Sequence, residues 1–268
     1  MSKESMKQTV GVALAVCAAC SIMVSTAAVA LKPIQEKNRI LDRKKNILVA
    51  AGVMDSGDKL SSDEVDARYA QIEGIVIDVE TGETVLDDEG APLDPDSIDW
   101  KEVAADPKQS VELSSGRDTA RIRRRANIRP VYLLRSEAGQ IERVILPVRG
   151  KGLWSTMRGF LALEGDLNSI GCLTFYEHGE TPGLGGEIDN EKWKKQWTTK
   201  LAFDEKGSPA IGVAKGAAKN DDPHSVDGLS GATLTSDGVT HLVRFWLGKD
   251  GYGAYLNVLR AEASSNEE

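Results

Sequence analysis

From Gln8 to Leu31 the chain carries no charged side chain, and Ala, Val, Leu, Ile and Met dominate the run. A helix of that length, rising about 1.5 Å per residue, covers the roughly 30 Å hydrocarbon core of a bilayer. A cleaved leader is the competing reading, because Lys3 and Lys7 give a basic start and Ala28-Val29-Ala30 has the small-x-small form of a cleavage site. The run is longer than the apolar core of such a leader. Beyond Pro33, moreover, Ile34, Ile40, Leu41, Ile47 and Leu48 recur at near-heptad spacing and extend it as a stalk toward Gly52. The expected division is a tail at 1–7, a transmembrane helix at 8–31, a stalk at 32–56 and a folded body beyond. Orientation is contested by charge: Lys32, Lys37, Arg39, Arg43, Lys44 and Lys45 outnumber Lys3 and Lys7. The positive-inside rule would then keep the body in the cytoplasm, although long domains are translocated despite such flanks.

The body reads as α+β, a mixed and mainly antiparallel sheet with helices late in the chain. Ser61-Ser62-Asp63-Glu64 has a capping pattern and opens a short helix, and strand-like runs follow at 75–79, 131–134, 144–148, 160–163 and 170–176. Glu137-Ala138-Gly139-Gln140 makes a hairpin turn. Helical segments are expected at 189–197 and 236–247. The Asp-, Pro-, Glu- and Ser-rich stretch 87–110 suits an acidic surface loop. These features predict a membrane-proximal part at 57–135, a cofactor-binding domain at 136–255 and a tail at 256–268. Arg121, Arg123, Arg124, Arg125 and Arg129 form the dense basic run of the body, read as a solvated face. A net charge of −8 argues against a nucleic-acid partner.

Three glycine-rich stretches interrupt the strands: 150–155, 180–186 and 227–236. Glycine permits unusual backbone angles and close approach to a ligand, so the three together are candidates for lining a cofactor cleft. None has the spacing of a phosphate loop or a dinucleotide fingerprint. His178, His224 and His241 lack paired zinc-ligand spacing, Cys17, Cys20 and Cys172 form no metal set, and no Ser sits in a nucleophile elbow. Ser230-Gly231-Ala232-Thr233 reads by itself as a polar turn before a helix N-cap, its small residues leaving the Thr233 hydroxyl sterically open and a helix beginning near Ser236 turning its positive end toward the loop. Trp154 offers a large apolar surface with one indole donor. Lys215, before Gly216, is a possible cation near the same place.

Asp-Gly-Leu-Ser-Gly-Ala-Thr at 227–233 resembles the D-x-x-(S/T)-(G/A)-A-T motif of covalent FMN-binding domains. The likeness extends through Gly-Lys-Gly-Leu-Trp-Ser, Glu-Thr-Pro-Gly-Leu-Gly-Gly and Phe245-Trp246-Leu247-Gly248 over nearly the whole chain. On these motifs the chain resembles the family formed by the C subunit of the sodium-translocating NADH:quinone reductase. That resemblance implies one FMN esterified through its phosphate to Thr233, with Glu180, Thr181, Gly183, Leu184 and Gly185 against the isoalloxazine ring. It implies an electron carrier between a membrane iron centre and a second flavin-bearing protein within a complex of six subunits, matured by a flavin transferase. The chain itself would hold no NADH site and no catalytic residue. Its body would lie on the periplasmic side of the inner membrane, contrary to the local charge count. The alternatives are the G subunit of an Rnf-type electron-transport complex, which shares the motif, or an anchored structural or sensory domain without covalent flavin.

Overall fold

The computed structural model describes residues 3–265, in two units that divide between Arg43 and Lys44. The first consists of helix α1 (Lys3–Ala51) up to Arg43. Its apolar side chains lie exposed, among them Val10, Leu14, Ile22, Met23 and Val29, and it is long and apolar enough to cross a membrane. The expected transmembrane helix and stalk run on as one continuous helix through residue 32. Pro33 removes one amide donor without ending so long a helix. The helix closes at Ala51 rather than 56, where Gly52 turns into the left-handed region with φ +73°.

The second unit is built on a five-stranded antiparallel sheet in the order β1-β4-β5-β6-β7. The strands are β1 (Ile72–Asp78), β4 (Ile128–Arg135), β5 (Ile141–Lys151), β6 (Thr156–Glu164) and β7 (Ile170–Glu177). Short helices α2 (Ser62–Tyr69) and α3 (Trp100–Ala105) and the small pair β2 (Ser110–Glu112) and β3 (Arg124–Ala126) precede β4. After β7 come α4 (Glu191–Lys194), the short parallel pair β8 (Gly212–Val213) and β9 (Ser225–Val226), and helices α5 (Thr233–Leu247) and α6 (Gly253–Ser265). The predicted α2 is closed by the expected capping box, Ser61 and Glu64 each serving the other's backbone amide.

Val144, Ile145 and Leu146 are all 0% exposed in consecutive positions of β5, so both faces of the sheet are covered. On one face Val144, Leu146 and Val148 join a core with Leu242, Val243, Trp246 and Leu256 of the last two helices. Gly150 lets α5 come close, since a Cβ there would stand 2.8 Å from Cβ of Leu242, and Trp246 Nε1 donates to the Arg149 carbonyl at 2.7 Å. Full burial of such a side chain contributes roughly 2–3 kcal/mol. On the other face Tyr132 meets Phe160 edge-on, and Pro95 seats over Gly74, where a Cβ would stand 2.8 Å from its ring.

Four expectations are corrected by this packing. The boundary at 135/136 falls inside the β4–β5 hairpin, so 57–135 and 136–255 share one sheet. The stretch 87–110 is not wholly a surface loop, because Pro95 and Val103 are buried. The segment 256–268 is no tail as far as residue 265: it continues α6, with Leu256 and Leu259 in the core. Within the basic run, Arg125 and Arg129 are 2% and 8% exposed rather than solvated. Arg129 lies 4.4 Å over the Trp246 ring and donates to the Pro147 carbonyl at 2.9 Å, while Arg125 donates to Glu80 and to the Asp250 carbonyl.

Candidate functional site

The three glycine-rich stretches converge at one end of the sheet, and Glu180 is the residue that ties them. Its side chain is 4% exposed. One carboxylate oxygen accepts from the amides of Trp154 at 3.0 Å and Ser155 at 3.2 Å; the other accepts from the Leu153 amide at 3.2 Å and from Thr235 Oγ1 at 2.7 Å. Burial alone pushes the carboxyl up, but the bonds from Thr235, Trp154, Ser155 and Leu153 outweigh it and hold it below the usual carboxylate range. Glycines make room for this knot. A Cβ at Gly152 would meet Glu180 Oε1 at 2.5 Å, and one at Gly185 would meet Thr235 Oγ1 at 2.5 Å. Glu180, which the resemblance places against the ring, has its carboxylate turned inward, where it organises the loops.

Above the knot, the motif 227–233 folds by alternation. Leu229 and Ala232 are 7% and 4% exposed, while Ser230, Gly231 and Thr233 face out. Gly231 takes φ +69°, a left-handed turn that glycine adopts without strain. Helix α5 then begins at Thr233 itself, three residues earlier than its apolar periodicity suggests, and its N-cap Ala232 supplies no side-chain acceptor. The first-turn amides and the positive end of the helix dipole therefore lie beside the exposed Thr233 hydroxyl, an arrangement suited to a phosphoryl group. Ser236 closes the loop from within by accepting from the Leu229 amide at 3.1 Å.

The surrounding rim is apolar and open. Trp154 is 67% exposed, Leu234 61%, Leu184 44% and Leu153 42%, so Trp154 is not a core residue. A Cβ at Gly231 would stand 3.1 Å from Leu184, which brings the second and third loops into contact. Thr181 and Gly183 are exposed on the same loop, with Gly183 at φ +76°. Lys215 is exposed on a loop joined to the motif by the Gly228 amide, which donates to the Gly216 carbonyl at 2.7 Å.

Sequence reasoning does not single out Trp193 and Gln196, yet they fix the start of the motif. Trp193 Nε1 donates to the Asp227 carbonyl at 2.7 Å, Gln196 bonds both the amide and the carboxylate of Asp227, and that carboxylate also accepts from the Ala218 amide. Only the apolar face of the 189–197 segment hints that Trp193 packs inward. His178 steadies the second loop, bonding Asp189 at 2.8 Å and accepting from the Glu180 amide at 3.2 Å.

Comparison with known proteins agrees with this geometry. Residues 152–248, which contain all three loops from Gly152 onward, match the family model described as an FMN-binding domain. The chain is 43% identical over 266 residues to the C subunit of the Na(+)-translocating NADH-quinone reductase of Yersinia pestis, covering 99% of this chain and 97% of that one. It is 47% identical over 266 residues to the protein of the same name from Pseudomonas aeruginosa, covering 97% and 98%. Among solved structures, NqrC of Shewanella oneidensis superposes with a TM-score of 0.72 at 33% identity, covering 82% of this chain and 97% of that one.

Proposed function

The chain belongs to the family formed by the C subunit of the Na(+)-translocating NADH-quinone reductase and carries that family's FMN-binding domain, and from this premise we propose that it holds one FMN by a phosphoester on Thr233. The observation that carries the proposal is an exposed hydroxyl at the first position of an uncapped helix, at the end of a tight turn whose neighbours Leu229 and Ala232 are buried. The residues fit the group. The first-turn amides of α5 face its phosphate, Ser230 and Gly231 keep the approach open, and Leu184, Thr181, Gly183 and Trp154 offer an apolar wall for a ring system. Gly185 and Glu180 hold that wall from beneath, and Lys215 supplies a nearby cation.

When bound, FMN supplies reversible uptake and release of electrons. The chain's part is to fix the group in place, exclude water from one side of it and leave the other side open to redox partners. In this reading the protein relays single electrons between a membrane iron centre and a flavin on another member of a complex of six subunits. A flavin transferase installs the ester on the periplasmic side of the inner membrane, and α1 is the single-pass anchor. Membership of the sodium-pump family sets aside the Rnf-type alternative.

Flavin fluorescence in a denaturing gel separates covalent from reversible binding. The band is expected to vanish in Thr233→Ala and to persist in Ser230→Ala; a persistent band in the former would overturn the site. Orientation is tested by adding protease to spheroplasts, where cleavage of the body is expected and protection equal to that of a cytoplasmic marker would reverse it.

A further inference from the structure

Two arginines beside the site sit at backbone angles that glycine would adopt more readily. Four non-glycine residues among those described have left-handed φ, and two of them, Arg121 at 53° and Arg123 at 62°, flank Ile122 in a single loop. A side chain at such angles crowds its own carbonyl, and strain of this kind persists where the surroundings impose it. The surroundings do so here. The Asp118 carboxylate accepts from the amides of Ile122 at 2.7 Å and Arg123 at 2.8 Å. Ala120 is 2% exposed and Ile122 packs against the core. Both guanidinium-bearing residues nevertheless face solvent. Among the described residues neither enters an ion pair, whereas Arg117, Arg124 and Arg125 pair with Asp250, Glu112 and Glu80.

The loop is tied to the flavin-site end of the sheet, since the Lys151 amide donates to the Ala120 carbonyl at 2.9 Å and Lys151 Nζ donates to the Trp154 carbonyl at 3.1 Å. At the other end of β5, Arg143 donates to the Ala50 carbonyl at the close of α1. Eight residues of strand, roughly 25 Å, separate the two ends.

We propose that Arg121 and Arg123 are a cationic docking point for an acidic surface of a partner protein that comes against the flavin-bearing face. This rests on the reading of Thr233 as the flavin carrier. The chain has a net charge of −8, so most of its surface repels an acidic partner. Two cations on a loop bonded to Lys151, which in turn bonds the Trp154 carbonyl, favour the orientation that brings the partner to the rim. Backbone bonds to Asp118 hold the two Cα positions, so docking adds no ordering of the loop's backbone. Anionic lipid is the poorer fit, because its attraction draws on clusters of about 4–8 basic residues.

The test uses the assembled complex in vesicles of phosphatidylcholine alone and of phosphatidylcholine with phosphatidylglycerol. Arg121→Glu/Arg123→Glu reverses the charges. Arg121→Gly/Arg123→Gly removes them while relieving the backbone, so that variant is expected to melt no lower than the unaltered chain. Both are expected to retain covalent flavin fluorescence and to lose roughly tenfold in NADH-driven quinone reduction in either vesicle, with the salt dependence of turnover flattened. Glu137→Lys, an exposed charge reversal in the β4–β5 turn at the opposite end of β5 from Lys151, is expected to change nothing. Full turnover by the glycine variant would overturn the proposal, as would a loss accompanied by a lower melting temperature. A loss confined to phosphatidylglycerol vesicles would assign the cations to lipid and overturn the protein partner. Absence of covalent flavin from the unaltered complex would instead defeat the parent reading, and it is scored before any variant is compared.

Discussion

The first turn of α5 has an inner and an outer side built on opposite terms. Thr235, 1% exposed, points in and donates to the buried Glu180 carboxylate. Thr233, two residues earlier, points out with its hydroxyl exposed. The inner threonine belongs to a closed hydrogen-bond knot that joins three loops far apart in sequence. The outer one stands beside unused helix amides and an apolar rim. One residue type at nearly the same place thus does two jobs: the buried hydroxyl fixes the loops, and the exposed hydroxyl is left for chemistry.

The sharpest way to break this contrast is Glu180→Ala. It strips the acceptor from three part-buried loop amides and from the buried Thr235 hydroxyl at once, and is expected to cost about 2–4 kcal/mol. Urea unfolding followed by tryptophan fluorescence measures it, and a loss below about 1 kcal/mol would mean that the knot does not hold the loops. Next in size is Arg129→Ala, which removes the cation over Trp246 and the bond to the Pro147 carbonyl; about 2–3 kcal/mol is expected. A loss of that size at Arg129 beside none at Arg121 would show that the basic run divides into packed and displayed halves.

A pH series sharpens the comparison further. Glu180 is held below its ordinary value in the folded state, so between its folded and unfolded pKa the unfolded chain binds more protons. Its contribution is therefore complete above the ordinary glutamate range and declines as the pH falls through the depressed folded value. Glu180→Gln should remove that part of the acid limb. Thr233→Ala is the smallest expected effect on stability, within about 0.5 kcal/mol, because the side chain is exposed and caps nothing. A large destabilisation there would erase the distinction between the two sides.

Much of the framework is legible in the sequence because its signals are local. The β4–β5 hairpin announces itself by alternation around Gly139, and α2 by its capping box. The start of α5 is harder to read because Ala232 is an N-cap without a side-chain acceptor, which leaves nothing for a capping rule to find. Glu180 escapes for a different reason. Its partners lie 26 and 55 residues away, and no local pattern tells a carboxylate that faces a ligand from one that faces a ring of amides. The same limit hides the burial of Arg125 and Arg129, whose partners come from the turns after β1 and between α5 and α6, from α5 itself and from within β5. The motif itself is readable residue by residue, and its alternation of buried Leu229 and Ala232 with exposed Ser230 and Thr233 gives a physical reason for the spacing.

The most direct measurement is fragmentation mass spectrometry of the peptide spanning residues 226–244, released from the active complex isolated from membranes. This peptide is expected to carry the added mass of one FMN joined with loss of water, with fragments that assign it to Thr233. Recovery of the peptide in full yield without that mass, from preparations that still turn over, would contradict the ester and with it the placement of the flavin.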